Sequence, residues 1–289
     1  MKNWDDYRLI LALHRTQTLR GAADLLGVNH STVSRRLTVV QHQLGHLFER
    51  TLDGYQATSL GLEFVNTALQ IENLSESMGR RQRGQNDDMS GPINLSIPPP
   101  IAQTLLIGEL KGFSERYPNI QLNINSSFEL RNLERAEADI VIRGTDQPPE
   151  YLVGRRVASV KLHYYGLREY LNTTAAEHYQ WIGRDADEQN PQWIKDSPYP
   201  NARIGIRSDD ILMRHQLLLS GYGLSRGACY MADPCEELVR LNDTPAIHLT
   251  DLWVLVHPDL RETPRIKVLM QFLCEALLKK KSLIEGKQP

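Results

Sequence analysis

The chain has 289 residues, of which 41% are hydrophobic and 24% charged, and a formal net charge of −2. That length exceeds one typical domain, and the composition is that of an ordinary soluble protein with two or three cores. No apolar run approaches the roughly 18 residues of a membrane span, the opening "MKNWDDYRLILALHRTQT" is broken by charge, and Cys229, Cys235 and Cys274 are too sparse for a disulfide framework, so the expected location is the cytoplasm, without membrane contact.

The overall charge hides a local bias. Between Arg8 and Arg50 six arginines stand against Asp24 and Glu49, a balance of +4, which describes a small basic module on a larger acidic body.

In chain order, the spacing of Trp4, Tyr7, Ile10, Leu11 and Leu13 predicts a helix from Trp4 to His14. Thr18 is placed to cap a second, "LRGAADLLG", which stops at Gly27. A third follows Asn29, with a buried stripe Val33, Leu37, Val40 and Leu44 and a stop at Gly45. About 100° of rotation per residue puts Ser31, Arg35, Thr38 and His42 opposite that stripe, with Thr32 and Ser34 on its flanks. Two helices joined by the tight turn Gly27 to Asn29 form a helix-turn-helix. Small Ala22 and Ala23 let them cross closely, so that the second protrudes and fits a DNA major groove. There Arg35 can donate two hydrogen bonds to guanine, and the hydroxyls serve phosphates or base edges.

From Ser59 to Gly84 the apolar positions Leu60, Phe64, Ile71, Leu74 and Met78, with Thr67 as one polar interruption, alternate spacings of 4 and 3. This heptad seam is expected to be buried on a second copy in a homodimer, the alternative being a helix packed on its own domain. "RRQRGQNDDMSGP" from Arg80 to Pro92 reads as a linker.

Beyond it, "INLSI", "AQTLLIGELKGFSERYP", "IQLNIN", "ELRNLERAEA" and "DIVIR" give strand, helix, strand, helix, strand, and hence parallel pairing. A second series runs from about Val157 through "ARIGIR", a helix from Asp209 to Ser220 and "LWVLVH" to a closing helix from Thr263 to Lys281. Two α/β lobes with a cleft between them are implied.

An enzyme is the main rival reading, yet G-x-x-x-x-G-K-[ST], G-x-S-x-G and H-E-x-x-H are all missing. "SGYGLSRG" reads as a turn entering a strand. His42 and His46 lie one turn apart without a third ligand nearby, so no metal is expected, and no cofactor. Cys229 and Cys235 could form a redox pair, but no basic neighbour lies beside Cys235 to activate it. A cytoplasmic small-molecule-binding protein without DNA binding is the other alternative.

The run "GAADLLGVNHSTVSRRL", followed by "LGHLFER" and "ATSLG", resembles the N-terminal domain of LysR-type transcriptional regulators; the likeness is detailed over residues 4 to 64. It is architectural beyond, with support from "FSERYPNIQLNI", "ADIVIR" and "HPDLRETPRIKVLMQFL". The resemblance implies an α plus α/β chain. A winged helix-turn-helix over 1–58 and a dimerising linker helix and hinge over 59–91 precede a two-lobed effector domain over 92–289, similar to periplasmic binding proteins. It implies that Asn29, His30, Ser31, Thr32, Ser34, Arg35 and Arg36 start the recognition helix with Thr38 beyond them, and that a wing from Arg50 to Thr58 holds the DNA backbone. It implies double-stranded operator DNA as a partner, control by a small-molecule effector or a redox signal through the C-terminal domain, a dimer of dimers, and contact with the transcription machinery. It also places Pro99, Pro100, Ile101, Ser126, Ser127, Arg143 and Ser208 at the cleft, with Arg143 as the one orienting guanidinium of that set. Departures from the family pattern are His30, where many members carry glutamine, Gln41, where glutamate is frequent, and "SIPPPIAQ" in place of a Ser/Thr-rich loop. Proline lacks an N–H, so Pro98, Pro99 and Pro100 remove three anion donors and make the site less anion-hungry.

Overall fold

The computed structural model describes residues 3–52, 54–84, 89–126, 128, 138–189 and 191–287, except the side chains of 73 and 76–84. It divides into two compact units, Met1–Gln82 and Arg83–Pro289.

The first unit is three helices, a two-stranded wing and the start of a long helix. Helix α1 (Trp4–Thr16) is capped by Asn3, whose side chain accepts from the Asp5 N–H. Helix α2 (Leu19–Leu26) begins where the Thr18 hydroxyl accepts from the Gly21 N–H at 3.0 Å, and ends at Gly27 with φ +67°. Both caps satisfy donors that a bare helix end would leave open; the Thr18 cap and the Gly27 stop are those the sequence predicts, and the Asn3 cap is an addition of the structure. Helix α3 (His30–Leu44) buries Val33, Leu37 and Val40 against Leu9, Ile10, Leu13, Ala22 and Ala23. Strands β1 (Phe48–Thr51) and β2 (Gly54–Ala57) pair antiparallel.

Two glycines set how closely these pieces approach. Gly54 has φ +123°, and a Cβ there would collide with the Gln17 carbonyl oxygen, to which Tyr55 N–H donates at 2.7 Å. The wing is thereby pinned to the turn between α1 and α2. Gly61 lies on helix α4 (Ser59–Gly84) where a Cβ would overlap the Leu47 carbonyl, so the glycine lets α4 cross that backbone closely. Helix α4 extends into the stretch expected to be linker.

The second unit is built on a nine-stranded mixed sheet. Strands β3 (Gly91–Ile97), β4 (Ile120–Ser126) and β5 (Ile140–Gly144) are parallel, as the alternation predicts. The expected helix from Glu129 to Ala138 falls almost wholly outside the described residues. Strand β6 (Val153–Leu167) runs antiparallel to β11 (Ile247–Val256) and, farther along, to β9 (Leu224–Ala228). These long strands join the two lobes. In the second lobe β9, β7 (Gln180–Gly183) and β8 (Arg203–Arg207) are parallel. The order across the sheet is β4-β3-β5-β11-β6-β9-β7-β8, with β10 (Leu238–Arg240) also on β6.

The first lobe's core gathers Ile93, Leu95, Ile97, Phe113, Ile140, Val254, Leu269 and Leu273. The second lobe has an aromatic core of Tyr164, Trp181 and Trp193, the two indoles meeting edge to face at 5.3 Å. After β3 the chain turns helical at once, as α5 (Pro99–Ile101), a π-helical stretch Ala102–Leu106 and α6 (Ile107–Arg116). The helix expected from Asp209 covers Ile211–Leu219, because Asp210 caps it by accepting from the Met213 N–H at 2.8 Å. Among the described residues no helix is long and apolar enough to cross a membrane.

Candidate nucleic-acid interface and ligand site

The outer face of α3 carries the chemistry expected of it. Asn29, His30, Ser31, Arg35 and Thr38 are exposed, and Thr32, Ser34 and Arg36 are half-buried at its margins. Asn29 opens the helix without spending its side chain on a cap. The Thr38 hydroxyl donates to the Ser34 carbonyl at 3.1 Å, which leaves its oxygen lone pairs for a partner.

The arginines of the basic module separate into two groups. Arg8 reaches Asp5 at 3.7 Å, Arg15 forms a bidentate pair with Glu72 at 2.7 and 2.9 Å, and Arg36 donates to Asp6 at 3.1 Å. These three are paired within the unit, although Arg8 and its partner Asp5 stay exposed. Among the described residues, exposed Arg20, Arg35 and Arg50 make no ion pair and donate no hydrogen bond. Arg36, expected on the DNA face with Arg35, is instead turned toward α1. Arg20, not singled out from the sequence, is exposed in the first turn of α2, the end whose dipole favours a phosphate.

Around the wing, Arg50 lies exposed on β1 opposite Tyr55. Thr58 serves structure first: its hydroxyl donates to the His46 carbonyl at 2.8 Å and accepts from the Gly61 N–H at 3.0 Å, capping α4. The Gln41 side-chain oxygen accepts from the N–H groups of Leu47 and Phe48 at 3.1 and 2.9 Å. An amide oxygen can make that tie, as a carboxylate could more strongly.

The heptad seam of α4 is divided. Gly61, Val65 and Ala68 face the unit's own core, and Phe64 packs beside them with its ring 6.4 Å from that of Tyr7. Phe64, expected in the dimer seam, thus touches its own domain. Leu60 and Leu74 are exposed, Leu74 by 67%, and Ile71 is half-buried. The Met78 side chain lies outside the described residues.

In the second unit the expected cleft residues have different fates. Pro99 and Ser208 are half-buried and Ser126 is exposed at the carboxyl ends of their strands, whereas Ser127 lies outside the described residues. Pro100 and Ile101 are buried, Ile101 within the first lobe's core. Arg143 is only 3% exposed and donates to the Ser96 hydroxyl at 2.6 Å and the Ile142 carbonyl at 2.7 Å. Burial lowers its pKa to about 10. It braces the sheet from within, which makes it a different group from the open orienting donor that its place at a strand end suggested.

The cysteines have thiol character. Burial raises the pKa of Cys229 and Cys235, and the neighbouring Glu237 raises Cys235 further, so neither has the activated thiolate of a redox pair. One cluster went unnoticed in the sequence. Asp146, His248 and Asp251 bring potential metal-ligand atoms within 4.8 Å of one another, but Arg156 holds Asp251 at 2.6 Å and an ion would have to displace that guanidinium.

Comparison with known proteins agrees with this geometry. Residues 4–62 match the model of the bacterial regulatory helix-turn-helix protein, lysR family, and residues 86–278 match that of the LysR substrate binding domain. The HTH-type transcriptional regulator YhjC of Escherichia coli is 28% identical over 157 residues, 54% of this chain and 52% of that one. The Mau operon transcriptional activator of Paracoccus denitrificans is 24% identical over 273 residues, 91% of this chain and 92% of that one. The chain spans about half the length of the curated relatives it matches first. Among solved structures, CrgA from Neisseria meningitidis, a LysR-type transcriptional regulator, superposes with a TM-score of 0.57 at 21% identity, covering 96% of this chain and 99% of that one. At that identity the likeness is one of fold.

Proposed function

Because the chain belongs to the LysR family of bacterial helix-turn-helix regulators, we propose that it is a sequence-specific transcriptional regulator that binds double-stranded operator DNA through α3 and the wing. Its activity answers to a small molecule bound by the second unit. The observation that carries this reading is the charge arrangement of the first unit: Arg20, Arg35 and Arg50 are exposed and unneutralised within the described residues, whereas Arg8, Arg15 and Arg36 are paired. A folded module that leaves three guanidinium groups open on the elements of a helix-turn-helix presents an anionic polymer with both backbone and base-edge donors. In this reading Asn29, His30, Ser31, Arg35 and Thr38 reach bases or phosphates, and Arg20 and Arg50 position the backbone.

Helix α4 joins two copies through Leu60, Ile71, Leu74 and Met78, and the homodimer pairs further into a tetramer in the cytoplasm, where it meets the transcription machinery. In this reading the chain is a regulator and not an enzyme. The test is titration of the full chain with duplexes from its own promoter region and with random duplex at fixed salt. Binding of the promoter at least about a thousand-fold tighter than random DNA is expected of a specific regulator; equal binding to both, or none, overturns the reading.

A further inference from the structure

The register of the three parallel strands of the second lobe, in which Ser225 pairs with Ile182 and Gly183 with Arg207, sets Arg226 level with the last residues of β7 and β8, while β9 runs on to Ala228. Arg226, in the middle of β9, therefore lies beside Arg184 and Arg207 at the carboxyl ends of β7 and β8, the edge of an open α/β sheet where ligands collect. Arg214, on the helix that follows β8, reaches back to the same edge.

Three of these four arginines are occupied. Arg184 turns onto Asp187, with Nε 3.4 Å from Oδ1. Arg207 donates to the carbonyls of Arg184, Asp187 and Glu188, and Arg214 to those of Ser208 and Asp209, at 2.6 to 3.2 Å. Arg226 differs. It is half-buried, its guanidinium lies over the Trp193 ring at 5.1 Å from the centroid, and among the described residues it makes neither a hydrogen bond nor an ion pair. Trp193 itself is only 8% exposed, and its Nε1 donates to no acceptor among the described residues. Tyr164, opposite Arg226 across the strands, is likewise buried and has turned its hydroxyl to the Trp193 carbonyl at 2.8 Å.

A guanidinium carries five N–H donors. Stacking on an indole compensates part of its desolvation but satisfies none of those donors. Burial lowers the pKa of Arg226, against smaller opposing contributions from Tyr164 and Asp187 and a further lowering by the Arg184 charge, so burial disfavours a cation here. An aliphatic side chain on Trp193 would avoid that cost. What a leucine could not supply is an open fork of donors at a ligand-facing edge.

We propose that Arg226 anchors an oxyanion, the carboxylate, sulfonate or phosphate of the small molecule that controls this protein, with the Trp193 ring holding the guanidinium plane from beneath. The proposal rests on the reading that the second unit binds an effector, and it moves the anionic anchor to the second lobe. The first turn after β3 is poorly equipped to hold an anion, because Pro98, Pro99 and Pro100 have no N–H and the Ala102 N–H already donates to the Pro98 carbonyl. In this reading the donors lacking in that turn are supplied from the second lobe, and the effector is an anion after all.

The experiment uses the full chain without DNA. Sodium sulfate, sodium phosphate and sodium benzoate are titrated at millimolar concentration against sodium chloride of equal ionic strength, with tryptophan fluorescence and thermal unfolding as readouts. Wild type is expected to respond saturably to at least one of the three, and the responding salt separates a tetrahedral anion from a carboxylate. Arg226→Leu is expected to lose about ten- to a hundred-fold in affinity for it, the range of a charge-assisted contact, while melting at the same or a higher temperature in chloride alone. Arg226→Lys, which keeps the charge without the planar fork, should retain a weakened response. No saturable response of wild type to any of the three salts, equal responses of wild type and Arg226→Leu, or a lower melting temperature of Arg226→Leu in chloride would each overturn the proposal and make Arg226 a structural stacking partner. Promoter binding is measured separately, so that failure of the regulator reading appears as lost DNA specificity in wild type and failure of the anion site as unchanged salt titrations.

Discussion

Arg36 donates from Nη2 to Asp6 Oδ1 at 3.1 Å, and Asp5 lies 3.7 Å from its other terminal nitrogen. One residue earlier, Arg35 points away from the core and meets no partner among the described residues. Neighbouring identical side chains on a helix diverge by about 100°, so one closes the domain and the other stays exposed.

Arg35→Ala should weaken specific DNA binding by about 1 to 3 kcal/mol, more than it weakens random duplex, with unfolding unchanged. Arg36→Ala should do the reverse. The Arg36 side chain is about a third exposed, so the stability loss is expected to stay near 1 kcal/mol or below. Paired urea titrations and duplex titrations of the two variants check this; a larger DNA defect for Arg36→Ala than for Arg35→Ala would contradict the assignment.

The divided seam of α4 predicts two different failures. Ile71→Asp with Leu74→Asp should leave the first unit folded and turn the oligomer into monomers in a sedimentation run, with DNA affinity collapsing because each half-site carries only part of the contacts. Phe64→Ala should instead lower the unit's own stability by about 2 kcal/mol, since the ring packs beside Tyr7. An intact oligomer in the double variant would move the interface elsewhere.

Gly61→Ala should destabilise the first unit by about 1 to 3 kcal/mol, although alanine is the better helix former, because its methyl group would enter the Leu47 carbonyl. Thermal unfolding reads the change. A gain in melting temperature would mean that α4 can move away from that backbone at no cost.

Burial lowers the pKa of His215, whose ring lies 4.0 Å from the Cys235 sulfur. The unfolded chain therefore takes up the proton first as the pH falls. Stability from this group is complete above the ordinary histidine range, near pH 6.5, and is lost progressively below it. Wild type should lose more stability than His215→Gln between about pH 7 and pH 5. Parallel stability curves for the two proteins would show that the imidazole titrates alike in both states.

The first unit was legible because its signals are local. The stripe Val33, Leu37 and Val40, the cap Thr18 and the stops Gly27 and Gly45 each act within one or two turns, and each lies where the spacing puts it. The second unit was legible as alternating strands and helices, but not in its joints. Nothing local marks β6 and β11 as long antiparallel strands shared by both lobes, since their register is set by pairing partners some 90 residues apart.

The candidate sites divide along the same line. The sequence by itself determined that α3 would show Ser31, Arg35 and Thr38 opposite its buried stripe, because helical periodicity decides which side chains share a face. Tertiary structure alone decided which charges remain available there. Arg15 finds Glu72 and Arg36 finds Asp6 only when α1, α3 and α4 pack together, and Arg143 disappears beneath the sheet onto Ser96 only when β3 and β5 lie side by side. Arg226 meets Trp193 across 33 positions of chain. A side chain's type and periodicity are properties of its own segment, but its desolvation and its partners belong to whatever the fold brings against it, and those set whether a charge is spent on structure or left for a ligand.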